Sequence, residues 1–171
     1  MSEKCTYFGK RTLDDYIELK KENIAEYILY LWQIEDYLRA FPAQADATTE
    51  LHDINEMMHR EGVAESGHIQ LAKNALAEME ELHLLLADKE ASYRAAVLQL
   101  TPALALFKAK TDRPAMSDVE ACLTLLYQIM LLHLQHHPVS GETEAVQQQA
   151  TSLLRYLSRT YRDNKDLEDN A

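Results

Sequence analysis

Thirty residues, Thr12 to Phe41, pass without a Gly or a Pro, and their apolar side chains fall on a heptad grid. Ile17, Ile24, Leu31 and Leu38 stand seven apart, and Tyr27, Ile34 and Phe41 fill a second position of the same grid. Such a stripe belongs to an amphipathic helix whose apolar face must be covered by other helices. The spacing predicts one continuous helix, roughly 45 Å long at the helical rise per residue. Thr12 is placed to cap it, and Asp14 and Asp15 suit its positive end. Pro42 disfavours helix in the residue before it, so the helix is expected to end at Phe41.

The rest of the chain extends this logic. Thr48 or Thr49 is expected to cap a second helix to about Glu61, with Leu51, Ile54 and Met58 inward and Gly62 as its stop. A third helix is predicted over residues 66–87, along a seam of Ile69, Ala72, Leu76, Met79, His83 and Leu86; the alternative is one helix broken around Gly62 and Gly67. A fourth follows Asp88, with Tyr93, Val97 and Leu100 inward, and Thr101-Pro102 either kinks or restarts it. Ser117-Asp118-Val119-Glu120 is a capping-box pattern. The helix it opens is apolar nearly all round to Leu134, the pattern of a central helix. A sixth is predicted over 142–162, with Leu153, Leu157 and Tyr161 inward and a basic stripe of Arg155, Arg159 and Arg162 that suits a helix C-terminus. Only 4 Gly and 4 Pro occur, which disfavours an all-β fold. The expected fold is therefore all-α, a five- to six-helix up-and-down bundle with a central apolar helix near 117–137. The expected organisation is a flexible segment 1–11, a single bundle domain 12–162 and a disordered acidic tail 163–171.

A net charge of −11, from 28 acids and 17 bases, argues against a phosphate-binding surface and against an anionic membrane. No nucleic-acid or membrane partner is expected. Cys5 and Cys122 form neither a disulfide framework nor a metal knuckle, and Cys122 reads as a small core residue. Residues Met1 to Arg11 lack an apolar signal region and no eighteen-residue apolar run occurs, so the chain is expected to be cytoplasmic. G-x-S-x-G, P-loop and G-x-G-x-x-G patterns do not occur. No catalytic residue is therefore assigned.

Three segments are familiar as a set: Lys20 to Asp36 (KKENIAEYILYLWQIED), Glu56 to Gly62 (EMMHREG) with Gly67-His68, and Leu125 to Leu132 (LLYQIMLL). Together they resemble an uncharacterised domain-of-unknown-function family of cytoplasmic proteins from Bacteroides-group bacteria. The resemblance covers nearly the whole chain. It implies an all-helical single domain, no assigned reaction and no functional residues to carry over.

Glu-x-x-His occurs three times, as Glu56/His59, Glu65/His68 and Glu80/His83. On a helix, residues three apart share a face, and ferritin-like bundles bind two metal ions with such pairs plus carboxylates from other helices, here Glu35 and Glu120. Glu56, His59, Glu80 and His83 are the candidate metal ligands; the alternatives are a core histidine at His83 and a wet face with His52. His133, His136 and His137 cluster at a helix end, where imidazolium is electrostatically favoured. Tyr27, Tyr30, Trp32, Tyr37 and Phe41 spread around more than one face of the first helix. They are candidates for an interface or a pocket, unless the protein's own helices cover them. The chain is expected to be a non-enzymatic helical binding module, acting on a protein partner or on itself as a homodimer. The alternatives are a metal-binding bundle with a divalent cofactor and a bundle that holds a small apolar ligand.

Overall fold

The computed structural model describes residues 11–171; Cys5 and all but the last residue of the segment 1–11 expected to be flexible lie outside them. The described chain is all-helical, with seven α-helices. They are α1 (Leu13–Glu22), α2 (Ile24–Ala40), α3 (Thr49–Arg60), α4 (Gln70–Lys89), α5 (Ala91–Lys110), α6 (Asp118–Leu134) and α7 (Gly141–Asp169), with a short 3-10 turn at Pro42–Gln44. Among the described residues no helix is long and apolar enough to cross a membrane. The chain divides into two compact units, and the division falls inside α4, between Ala75 and Leu76.

In the first unit α1 packs on α2, and α2 on α3. The long helix predicted over Thr12–Phe41 is in fact two, and this accounts for a helix count above the expected five to six. Asn23 breaks it, with φ −154° and ψ 89°, and its side-chain oxygen accepts the Glu26 amide to start α2. An Asn side chain competes with the helical backbone for just such bonds. The break also divides the heptad stripe. Ile24, Tyr27, Leu31, Ile34 and Leu38 are buried, whereas Ile17 on α1 and Phe41 beyond α2 are exposed. Thr12 caps α1 as expected, in a reciprocal box with Asp15, whose carboxyl is held below its ordinary pKa chiefly by the Thr12 amide.

Helix α4 starts at Gln70, later than expected, so Glu65 and His68 stand in the preceding loop. Two residues of α2, one turn apart, hold that loop. Glu35, fully buried, accepts the Ile69 amide at 2.7 Å and the His68 Nδ1–H at 2.8 Å. Arg39 donates to the carbonyls of Val63 at 2.8 Å and Gly67 at 2.6 Å. Gly67 has φ +90°, and a Cβ there would come within 3.3 Å of Val63 Cγ1, so both the backbone and the close approach require glycine.

In the second unit α5, α6 and α7 pack against one another. The α4 residues of this unit attach through side chains: Ser117, the cap of α6, donates to Glu80 at 2.6 Å, and the Tyr161 hydroxyl donates to Glu78 at 3.2 Å. Pro102 lies inside α5 and neither stops nor restarts it. The apolar character of α6 does not make it central along its length. Val119, Ala121, Cys122 and Leu123 are buried, but Leu131, Leu132 and Leu134 are exposed. Helix α7 continues to Asp169, through most of the tail expected to be disordered.

Glu35→Ala leaves the buried Ile69 amide without an acceptor, which costs about 1–3 kcal/mol. The variant is expected to unfold at correspondingly lower denaturant, with Glu35→Gln milder because an amide oxygen still accepts. Equal midpoints for wild type and Glu35→Ala would remove Glu35 from this role.

Candidate functional site

The first unit contains a pocket of about 740 Å³ lined by α1, Tyr27 of α2, the start of α3 and Leu71 of α4. That volume falls within the usual range for small-molecule sites. Most of the wall is apolar, from Leu13 and Ile17 on α1 and Ile54 and Met57 on α3. Thr48 caps α3 by accepting the Leu51 amide at 3.2 Å, which sets the first turn of that helix and with it Glu50.

Glu50 is only 4% exposed although it is an acid at a pocket wall. The Tyr30 hydroxyl donates to its Oε1 at 2.6 Å. Its Oε2 is buried and has no hydrogen-bond partner in good geometry, and the same holds for the Tyr16 hydroxyl, which lies beside it. Burial pushes the Glu50 carboxyl above its ordinary range, opposed by the Tyr30 and Tyr16 hydroxyls and by Arg11. Burial also raises the Tyr16 phenol, and the neighbouring Glu50 raises it further, so that hydroxyl keeps its proton. Tyr16 packs edge-on to Tyr27 at 6.2 Å and against Tyr30 at 6.1 Å, and the Arg11 guanidinium lies 4.4 Å over the Tyr30 ring.

The candidate aromatics of the first predicted helix therefore take different places. Tyr27 lines the pocket and Tyr30 holds its carboxylate. Trp32 is buried and stacks on His68 at 4.7 Å, Tyr37 packs on Phe41 at 5.2 Å, and Phe41 is exposed. Sequence reasoning did not single out Glu50 or Tyr16. The available signal was that Glu50, Ile54 and Met57 share a face of α3 at i, i+4 and i+7, an acid in line with apolar residues.

The candidate metal ligands fall in different units. Glu56 and His59 are exposed on α3, and Glu56 lies 3.4 Å from His52, which also contacts Asp46 at 3.0 Å. Those two acids raise the His52 pKa, Asp46 first. In the second unit Glu80 accepts from Ser117, and His83, lowered in pKa by burial, meets the Tyr93 hydroxyl at 2.6 Å through Nδ1. Burial raises the Tyr93 phenol as well, so it favours the neutral form of both partners. Glu120 pairs with Arg113 at 2.6 Å and Glu35 serves His68 and Ile69. Among the described residues no group of three or more His, Cys, Asp or Glu is placed to hold a metal ion. His133 closes α6, and His136 adopts φ +57° just beyond it. Cys122 is fully buried, with its thiol pushed up to about 12 by that burial. The second unit has its own pocket of about 580 Å³ between α5 and α7, walled by Tyr93 and Tyr156; the Tyr156 hydroxyl donates to Glu90 at 2.6 Å.

Fold and site together define an all-helical protein with an apolar pocket over a buried carboxylate. The chain belongs to the family described as Domain of unknown function (DUF4924), whose family model matches residues 17–52 and 43–168. No curated protein and no solved structure matches it.

The raised carboxyl of Glu50 gives stability a sign with pH. A group that binds its proton more tightly when folded favours the fold at low pH and disfavours it once ionised. Relative to wild type, Glu50→Gln is expected to raise the unfolding midpoint near pH 7. That gain should shrink as pH falls towards the ordinary value of 4.5, where the wild-type group also becomes neutral. Denaturation at several pH values checks this; a variant less stable than wild type at pH 7 would show that ionised Glu50 supports the fold.

Proposed function

We propose that this chain is a non-enzymatic, cytoplasmic binding protein of Bacteroides-group bacteria whose first-unit pocket takes a small, largely apolar ligand. One observation carries the reading: a pocket of about 740 Å³ with apolar walls has an acid, 4% exposed, set into its lining with hydrogen bonding at one oxygen that is poorly formed. A buried carboxylate lacking part of its hydrogen bonding is costly to the fold. Folds carry such costs where a site needs a polar group inside an apolar wall. Tyr16 packs on both Tyr27 and Tyr30, which keeps the wall shaped without a ligand.

A neutral solvatochromic dye such as Nile red tests the reading. Its fluorescence is expected to rise and shift to the blue with wild type, and to fall several-fold with Ile17→Trp, which places a bulky ring among the apolar lining. Absence of any signal with wild type, or a signal indifferent to Ile17→Trp, would contradict it.

A second reading, self-association, is favoured by exposed Leu131, Leu132 and Leu134 at the end of α6. Light scattering is expected to give twice the chain mass for wild type and a single mass for Leu132→Glu/Leu134→Glu; a wild-type monomer at high concentration would end that reading.

A further inference from the structure

The pocket of the second unit, about 580 Å³, has a wall of a different chemistry. Two facing rows build it. Ser92, Ala96 and Gln99 stand on one side of α5 at i, i+4 and i+7, and Ala145, Gln149, Ser152 and Tyr156 on one side of α7 at i, i+4, i+7 and i+11. The small side chains of Ala96 and Ala145 leave the space between the rows open, and the buried Tyr93 and Leu153 close it below. Charged residues make up 26% of the sequence, yet among the described residues none lines this pocket. A charged ligand would lose its hydration there with no counter-charge to replace it. The polar groups on the lining are the side chains of Ser92, Gln99, Gln148, Gln149 and Ser152, all exposed and none held in a bond within the described chain. A purely apolar ligand would strip water from them and return no hydrogen bond. We propose that this pocket binds a neutral saccharide.

A saccharide ring combines an apolar face of C–H groups with a rim of hydroxyls that donate and accept alike. Tyr156 supplies the surface for that face, because its ring remains exposed. The ring is also held in place: its hydroxyl donates to Glu90 at 2.6 Å, and it leans on Tyr93 at 5.9 Å with a tilt of 34°. Tyr93 is in turn fixed through its hydroxyl to His83 at 2.6 Å. The aromatic surface therefore needs no ordering when a ligand arrives. The Gln149 amide, one turn before Ser152 on the same face, presents a donor and an acceptor side by side, which matches two neighbouring hydroxyls. Ser92 and Gln99 offer the same groups from the α5 row, so the rim of the sugar is met from both sides. A nucleoside shares the flat face and the neutrality but carries fewer hydroxyls for the two rows.

Saturation-transfer NMR on the full chain tests this with maltose, cellobiose, lactose and N-acetylglucosamine, beside adenosine and glucuronate. At least one of the four neutral sugars is expected to bind, with its strongest signals at ring C–H protons, and to bind more tightly than adenosine or glucuronate. Tyr156→Ala should weaken that sugar about tenfold, from loss of the aromatic surface. Gln149→Ala should weaken it about fivefold, from loss of one hydrogen-bonding side chain. Ile17→Trp, in the pocket of the first unit, should leave it unchanged. Circular dichroism checks that each variant is folded, and Gln149→Ala, at an exposed position, carries the test should Tyr156→Ala unfold. No binding by any of the four sugars would overturn the proposal. So would tighter binding of adenosine or glucuronate, or a sugar signal that a folded Tyr156→Ala and Gln149→Ala both leave intact. Loss of the sugar in Ile17→Trp would put it in the first unit and overturn the proposal as well.

Discussion

Glu35 accepts the Ile69 amide and the His68 imidazole from a position with no exposure to water, and these two bonds set where α4 begins. A helix leaves its first amides without internal partners. Here the partner comes from across the unit, on α2, rather than from a neighbouring cap residue. One turn later Arg39 takes two carbonyls of the same loop. The acid therefore serves donors and the base serves acceptors, so the segment between α3 and α4 is held in both polarities. Trp32 stacks on His68 and fixes the imidazole plane that Glu35 receives. Leu71, two residues beyond Ile69, reaches the pocket wall only because α4 starts where it does.

The first unit thus contains two buried acids with opposite standing. Glu35 has a donor on each oxygen, which makes a buried carboxylate tolerable and its position unique. Glu50 has Tyr30 on one oxygen and an ill-matched Tyr16 beside the other. Burial disfavours its charge, and its neighbours offset that only in part. The first acid organises the fold, and the second is a cost the fold carries beside an apolar pocket. The same elements produce both: α2 turns Glu35 and Arg39 towards the loop, Tyr27 towards the pocket and Tyr30 towards Glu50.

Most of the helical pattern was legible because periodicity reports which face is covered. The stripe of Ile24, Leu31 and Leu38 is buried as expected, and the caps at Thr12, Thr48 and Ser117 form. The break at Asn23 was not read, because heptad spacing is blind to one side chain that bonds its own backbone. For the same reason Ile17 was assigned inward and Phe41 to the buried grid, and both are exposed. The apolar run of α6 suggested a central helix, but composition states what can be buried and not how far the covering helices extend. The site was less legible still. Glu-x-x-His spacing drew attention to Glu80 and His83, which serve a helix cap and a tyrosine, while Glu50 looked like an ordinary first-turn acid. Its role depends on Tyr16 and Tyr30, which stand 34 and 20 residues away from it in sequence.

The central claim is that Glu50 is a buried carboxylate whose charge the fold disfavours beside an apolar pocket. The direct measurement is its ionisation, followed by the chemical shift of the side-chain carboxyl carbon of Glu50 as pH is varied. The account predicts a midpoint above the ordinary 4.5. A midpoint at or below the ordinary value would show an acid fully satisfied by its own chain and would contradict the account.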